Sequence, residues 1–251
     1  MRPCAFFVLV AMLGANANLA RAQTEIITDR PDLSYATVPQ GSLQVETGAS
    51  WTHLRNDETF DGPETVIRFG LTPSGELRLG LPNYFHSGDH RFGNGFSDIL
   101  LGWKQQFPAS PAGFQLSIGP GVTLPSGSAG RTNKVSVPQF DLAWLRPVDS
   151  RWSISGVQVL DYSAANSRHV LEALTVLGVE RGLGQRKDAY LEYQRFDSPL
   201  GSSEMLEAGV AYRNRPSCQF DVLVGVGYGR GGAEFTLGVG FSFRQDNIWK
   251  R

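Results

Sequence analysis

Cysteine is nearly absent: the 251 residues contain two, Cys4 and Cys218. No disulfide framework can hold such a fold together, and no cysteine-rich metal site can be drawn. An excess of one charge is also missing. Lys and Arg number 23 against 24 Asp and Glu, so no basic bias marks a nucleic-acid partner. Beyond residue 22 there is no run of about 18 apolar residues, which excludes a membrane protein built from spanning helices. Signatures of chemistry are scarce too. Gly229-Arg-Gly-Gly232 lacks the Lys-Ser/Thr ending of a phosphate loop and reads as a hairpin turn. There is no Gly-x-Ser-x-Gly elbow, and no motif asks for a cofactor.

The chain begins with an export signal over residues 1–22. Arg2 supplies the charged start, residues 5–13 the apolar stretch, and Ala20-Arg-Ala22 a small-x-small cleavage site. The apolar stretch is too short to span a bilayer, and Asn16 and Asn18 interrupt the residues after it. Cleavage would remove Arg2, Arg21 and no acidic residue, taking the net charge from −1 to −3. It would also remove Cys4, leaving Cys218 without an intrachain partner.

The rest of the chain alternates. In residues 233–243, Phe235, Leu237, Val239, Phe241 and Phe243 fall on one face, and Glu234, Thr236, Gly238, Gly240 and Ser242 on the other. A strand sends successive side chains to opposite faces, so this segment has one apolar face and one polar or small face. The same period predicts strands at about 43–53, 65–72, 76–84, 96–107, 114–124, 137–145, 152–160, 170–180, 189–196, 205–213 and 220–228. For 152–160 and 170–180 the pattern leaves open which face is which.

Twelve such strands after an export signal predict an all-β fold, an antiparallel transmembrane β-barrel of the outer membrane of a Gram-negative bacterium. The connections agree. Residues 54–64, 83–95 and 125–134 are long and alternate with the short 73–75, 108–112 and 147–150, as outer loops alternate with periplasmic turns. Later connections, 182–187, 214–218 and 229–232, fit less well. Trp51, Trp103, Trp144, Trp152, Tyr84, Tyr212 and Tyr228 fall near predicted strand ends, where interfacial girdles form. A secreted β-sandwich would also alternate. It would have to bury the charges of the opposite face in its core, at high cost.

Those charges are the candidate site: Glu46, Arg68, Glu76, Arg78, Asp98, Lys104, Glu192, Glu207, Arg213, Asp221 and Glu234, all expected on the inner wall. Two readings stand side by side. In one they line a polar lumen and select solutes; in the other they pair across strands and fill a barrel of modest width. The histidines His53, His86, His90 and His169 fall in predicted outer loops, with His86 and His90 flanking Asp89; loop residues could converge on a metal, but solvated loop histidines are commoner. A lipid hydrolase would need a serine–histidine pair; the candidates are His86 with Ser87 and His53 with Ser50. A structural or adhesive surface barrel is a third class, although its outer loops would be larger.

Several stretches resemble one known family. Thr28, Asp29, Arg30, Pro31 and Asp32 are followed by Val38-Pro-x-Gly-x-x-Gln-x-Glu46. Phe69-Gly-Leu-Thr72, Glu76 to Pro82, Gly95 to Lys104 and Gly121 to Gly127 continue the likeness. Over residues 28–127 the chain is similar to outer-membrane transporters named for the meta-pathway of phenol degradation. The resemblance implies a barrel that passes small solutes, aromatic compounds among them. Its partners would be outer-membrane lipid, small-molecule solutes and the barrel-assembly machinery, with no nucleic acid. The expected organisation is a signal peptide at 1–22, a periplasmic or lumenal segment at 23–42, the barrel at 43–243 and a tail at 244–251. Thr28–Pro31 could enter the lumen or lead flexibly into the barrel. The tail departs from the family pattern, because such barrels usually end on the aromatic of the last strand.

Overall fold

A computed structural model describes residues 25–30, 34–55, 57–88, 93–165, 168–199, 201–228 and 234–249. The expected signal peptide, Pro31, His90 and the turn at 229–232 lie outside the described residues.

The described chain is all strand. β1 is Leu43–Leu54, β2 Asp57–Gly62, β3 Val66–Thr72, β4 Gly75–Gly80, β5 Tyr84–Ser87, β6 Gly95–Phe96, β7 Ile99–Phe107 and β8 Gln115–Leu124. Then come β9 Val137–Pro147, β10 Trp152–Ala165, β11 Arg168–Gly182, β12 Lys187–Ser198, β13 Gly201–Arg215, β14 Cys218–Tyr228 and β15 Phe235–Gln245. Every pairing is antiparallel between neighbours, and β15 returns to β1 over Leu43↔Gln245 to His53↔Phe235, which closes the sheet. Closure removes the open edge that β1 and β15 would otherwise present to a bilayer, while the short β6 pairs with β5 on one side only.

Fifteen segments make twelve spanning strands. The lower half of β1 pairs with β3 and its upper half with β2, so β2 and β3 are one strand parted at 63–65. β4 and β5 are likewise parted at 81–83, and β6 and β7 at 97–98. Pro63 and Pro82 stand in two of the breaks, where the ladder loses a donor. A cleft of about 510 Å³ lined by Pro63, Leu81, Pro82 and Phe96 opens there. The expected long outer loops 54–64 and 83–95 are thus partly strand: the sheet continues above the breaks instead of ending. On the other side β10, β11 and β13 run 14, 15 and 15 residues, so their outer connections are tight.

The outer surface is apolar. Leu71, Leu101, Phe140, Leu177, Leu191, Val222, Val224, Leu237, Val239 and Phe243 are all exposed. Each such side chain recovers roughly 1.5–3 kcal/mol on leaving water, so a surface of this kind belongs in lipid. The protein is an outer-membrane barrel.

The two strands of open register are now fixed. Val157 pairs with Ala143 and Val176, and these three with Val159 form a buried cluster inside the barrel. On the lipid side, Thr175 Oγ1 donates to Gln158 Oε1 (2.9 Å) and Gln158 Nε2 to the Leu174 carbonyl (3.0 Å). Apolar residues inside and polar ones outside invert the usual alternation here. The barrel end also shifts: β15 runs to Gln245, with Arg244 buried. The tail then folds back, with Ile248 N donating to the Gly41 carbonyl (2.8 Å) and Ser42 Oγ to Asp246 (2.7 Å).

Candidate functional site

The segment before β1 lies against the inner wall. Ile26, Thr28, Asp29, Ala36, Thr37 and Val38 are all buried. An irregular backbone inside a barrel needs partners for its amides and carbonyls, and inward side chains supply them. Glu46 accepts from Asp29 N (2.7 Å) and Glu76 from Val38 N (2.6 Å). Arg68 donates to the Ala36 carbonyl (2.6 Å), Gln44 to the Ile27 carbonyl (2.8 Å) and Arg244 to the Glu25 carbonyl (3.0 Å). Gln219 Nε2 donates to Thr28 Oγ1 (2.7 Å).

Glycines make the room. A Cβ at Gly70 would overlap the Val38 and Pro39 carbonyl oxygens, and one at Gly48 or Gly240 would overlap the Arg30 guanidinium. Gly48 and Gly240 are partners across the closing seam. Arg30 lies over them, donating to Glu64 (2.5 Å) and to the Val239 carbonyl (3.2 Å), with Asp221 3.6 Å from its Nε.

Asp29 is the centre of the arrangement. Its carboxylate accepts from Lys104 Nζ (2.8 Å) and Arg78 Nη2 (2.5 Å), with Arg68 Nη1 at 3.2 Å. These three cations come from β7, β4 and β3, adjacent strands whose inward positions face one point. Arg68 also binds Glu46 (2.7 Å) and Glu76 (2.8 Å), and Arg78 reaches Asp141 at 3.5 Å. Three cations therefore face four carboxylates, and Arg68, Glu76 and Lys104 are at most 1% exposed. Burying charges costs several kcal/mol per ion, which opposite charges this close offset.

The facing wall differs. Asp161, Glu172, Glu180, Asp188, Glu192, Glu207 and Asp221 occupy its inward positions on β10 to β14. Arg213, bound to Asp188 and 3.2 Å from Glu25, is a cation of that wall. Glu192 and Glu207 stand directly opposite each other in register, and both are buried. Like charges so placed cost stability. Between this wall and the N-terminal segment lies a cavity of about 350 Å³, lined by Ile26, Tyr35, Glu180, Tyr190, Glu192 and Arg213 among others.

Of the inner-wall charges expected from the sequence, Glu46, Arg68, Glu76, Arg78, Lys104, Glu192, Glu207, Arg213 and Asp221 point inward. Two do not. Asp98 sits at the break before β7 and accepts from the loop amides of Ser126 (3.0 Å), Gly127 (2.9 Å) and Asn133 (2.9 Å). Glu234 precedes β15, is half exposed at the outer rim, and lies 3.9 Å from His53 and 3.7 Å from Arg55. At both positions the alternation of the sequence runs on past the end of the strand. Asp141 is a further inward charge, alternating with Phe140 and Leu142, and Asp161 and Glu172 lie on the two strands whose register the sequence leaves open. The serine–histidine candidates are not brought together. Ser87 is buried and bonds Asp57 (2.5 Å) while His86 is exposed; Ser50 bonds Glu64 (2.8 Å) while His53 stacks on Trp51 with ring centroids 6.0 Å apart.

Similarity to known proteins agrees with this geometry. The family described as "Putative MetA-pathway of phenol degradation" matches residues 28–245, beginning at the first residue of the Thr-Asp-Arg segment. An outer-membrane channel from Pseudomonas putida F1 superposes with a TM-score of 0.65 at 11% identity, over 88% of this chain and 100% of that one. NanC porin superposes at 0.57 and 8% identity, over 80% of this chain and 98% of that one. KdgM porin gives 0.53 and 10% identity over the same shares. At such identities these likenesses establish a common fold. No curated protein is significantly similar in sequence.

Proposed function

The chain belongs to the phenol-degradation MetA-pathway family, and from that premise we propose that it is a passive outer-membrane channel for small solutes, narrowed by its own N-terminal segment. The observation that carries this reading is the space left over. The segment is bonded to β1–β7 and to β14 and β15, and a cavity of about 350 Å³ remains beside it. An apolar cavity of roughly 150 Å³ holds benzene, so this one suits a single-ring aromatic with polar substituents. Tyr35, Tyr190 and Ile26 offer apolar surface, and Arg213 and the carboxylates offer polar partners. That lining agrees with the aromatic compounds to which the family's description points. The chain carries no nucleotide motif, so passage would run down the solute's gradient.

The test is permeation into liposomes holding the refolded protein. Single-ring aromatic solutes should pass at a rate well above that of protein-free liposomes, and trisaccharides should not. Equal passage of both would overturn the reading.

A further inference from the structure

The lipid-facing surface carries a feature that solute passage does not use. At the periplasmic ends of β8 to β13, cations lie over aromatic rings. The Arg146 guanidinium is 5.4 Å from the Phe114 ring centroid, Arg181 is 5.1 Å from Trp152, and Lys187 Nζ is 5.9 Å from Tyr212. The pairs follow one another around the wall: Phe114 packs edge-on against Trp144 at 5.7 Å, Trp152 is the register partner of Arg181, and Lys187 that of Tyr212. Arg151 and Arg186, both exposed, add two charges from the adjoining turns. All five cations are exposed.

Two carboxylates near this arc are exposed, Glu25, which pairs with Arg213, and Asp149, which is engaged by its own turn. Asp149 accepts from the backbone amides of Arg151 (2.6 Å) and Trp152 (2.9 Å), which hold its carboxyl below the usual range. The opposite arc is different in kind. Its turn 73–74 contains no charged residue, nor does the turn 108–113 that leads into Phe114 of the cationic arc. Among the described residues, the exposed cations of this rim gather on the side of β9 to β13, with Arg215 in the turn that follows β13. A ring beneath a guanidinium holds it at the level of the lipid headgroups, where aromatic girdles sit.

We propose that this arc is a binding site for the phosphates of anionic glycerophospholipids in the periplasmic leaflet. Arginine presents a planar fork that fits phosphate oxygens, and each cation near an anionic membrane surface is attracted to it. Five on one arc favour such lipid over zwitterionic lipid, on that side of the barrel alone. The site stands apart from the solute reading.

Native mass spectrometry of the full chain, offered phosphatidylglycerol and phosphatidylethanolamine in equal amounts, tests it. The wild type should retain phosphatidylglycerol several-fold more. R146Q/R181Q/K187Q should lose that preference, and R146K/R181K, which keeps the charges, should retain most of it. Arg55→Gln at the outer rim should change nothing. Equal retention of both lipids by the wild type would overturn the proposal without reference to any variant. So would a preference that survives in the triple glutamine variant.

Discussion

The two inner walls of this barrel are built from the same alternating strands and differ in what became of their charges. On β3, β4 and β7, Arg68, Arg78 and Lys104 are buried in pairs with Asp29, Glu46, Glu76 and Asp141. On β10 to β14 the inward charges are mostly acids, with Arg213 among them, and several line the remaining cavity. An inward charge is thus not in itself a lumen charge. The first wall spends its charges on holding the N-terminal segment; on the second, Arg213 and Asp221 also reach the segment, at Glu25 and Arg30, while Glu180 and Glu192 edge the space beside it. Arg68, Arg78 and Lys104 are poorly placed to concentrate anions, because their field is cancelled within a few ångströms.

The largest effect should come from breaking the paired wall. Lys104 makes its carboxylate contact through Asp29. Asp29→Ala removes the anion on which three buried cations converge, and losing one partner of a buried pair costs about 3–5 kcal/mol. These contacts join the segment to β3, β4 and β7, so the loss should fall on its docking against that wall. Single-channel conductance should rise several-fold while heat-modifiable migration on gels persists. An unchanged conductance would show that the segment does not narrow the path.

Next in size is the division between outer and inner faces, on which the comparison of walls depends. Val224 is exposed to lipid and Gly225 is buried inside, next to Met205. Val224→Arg should destabilise by about 2–4 kcal/mol if it lies near the bilayer midplane. Gly225→Arg should narrow the lumen and lower conductance. Denaturant titrations in detergent would separate the two, and equal loss of stability at both positions would contradict the register.

Much of this was legible in the sequence. The alternation of β14 and β15, the inward positions of Arg68, Glu76, Arg78 and Lys104, and the barrel itself follow from period-two patterning. The strand at 152–160 resisted for a physical reason. Val157 and Val159 face inward to pack with Val176, and Gln158 faces lipid with its hydrogen bonds made to Thr175 and the Leu174 carbonyl, so the apolar face is not the outer one. The role of Asp29 was illegible for another reason. Its partners are 39 to 75 residues away on three strands, and nothing local in Thr28-Asp29-Arg30 specifies an ion-pair centre. The glycines at 48, 70 and 240 were the available hint, since successive inward glycines mark a wall that something else approaches closely.

The smallest expected effect probes the acidic wall alone. With the cations of the other wall paired, the space beside the segment is edged by Glu180 and Glu192, with Glu207 across from Glu192. A low-dielectric wall focuses the field of such charges, so cations should be admitted over anions. Reversal potentials under a potassium chloride gradient should therefore report cation preference in the wild type. Glu192→Gln with Glu207→Gln should move the reversal potential toward zero, because it removes two facing acids from that wall. The shift should be modest and should shrink as salt rises, since at about 0.1 M the screening length is roughly 10 Å. A reversal potential that does not move at low salt would place the permeation path away from β12 and β13. An anion preference in the wild type would instead mean that the paired cations still act on the lumen, and the distinction between the walls would fail.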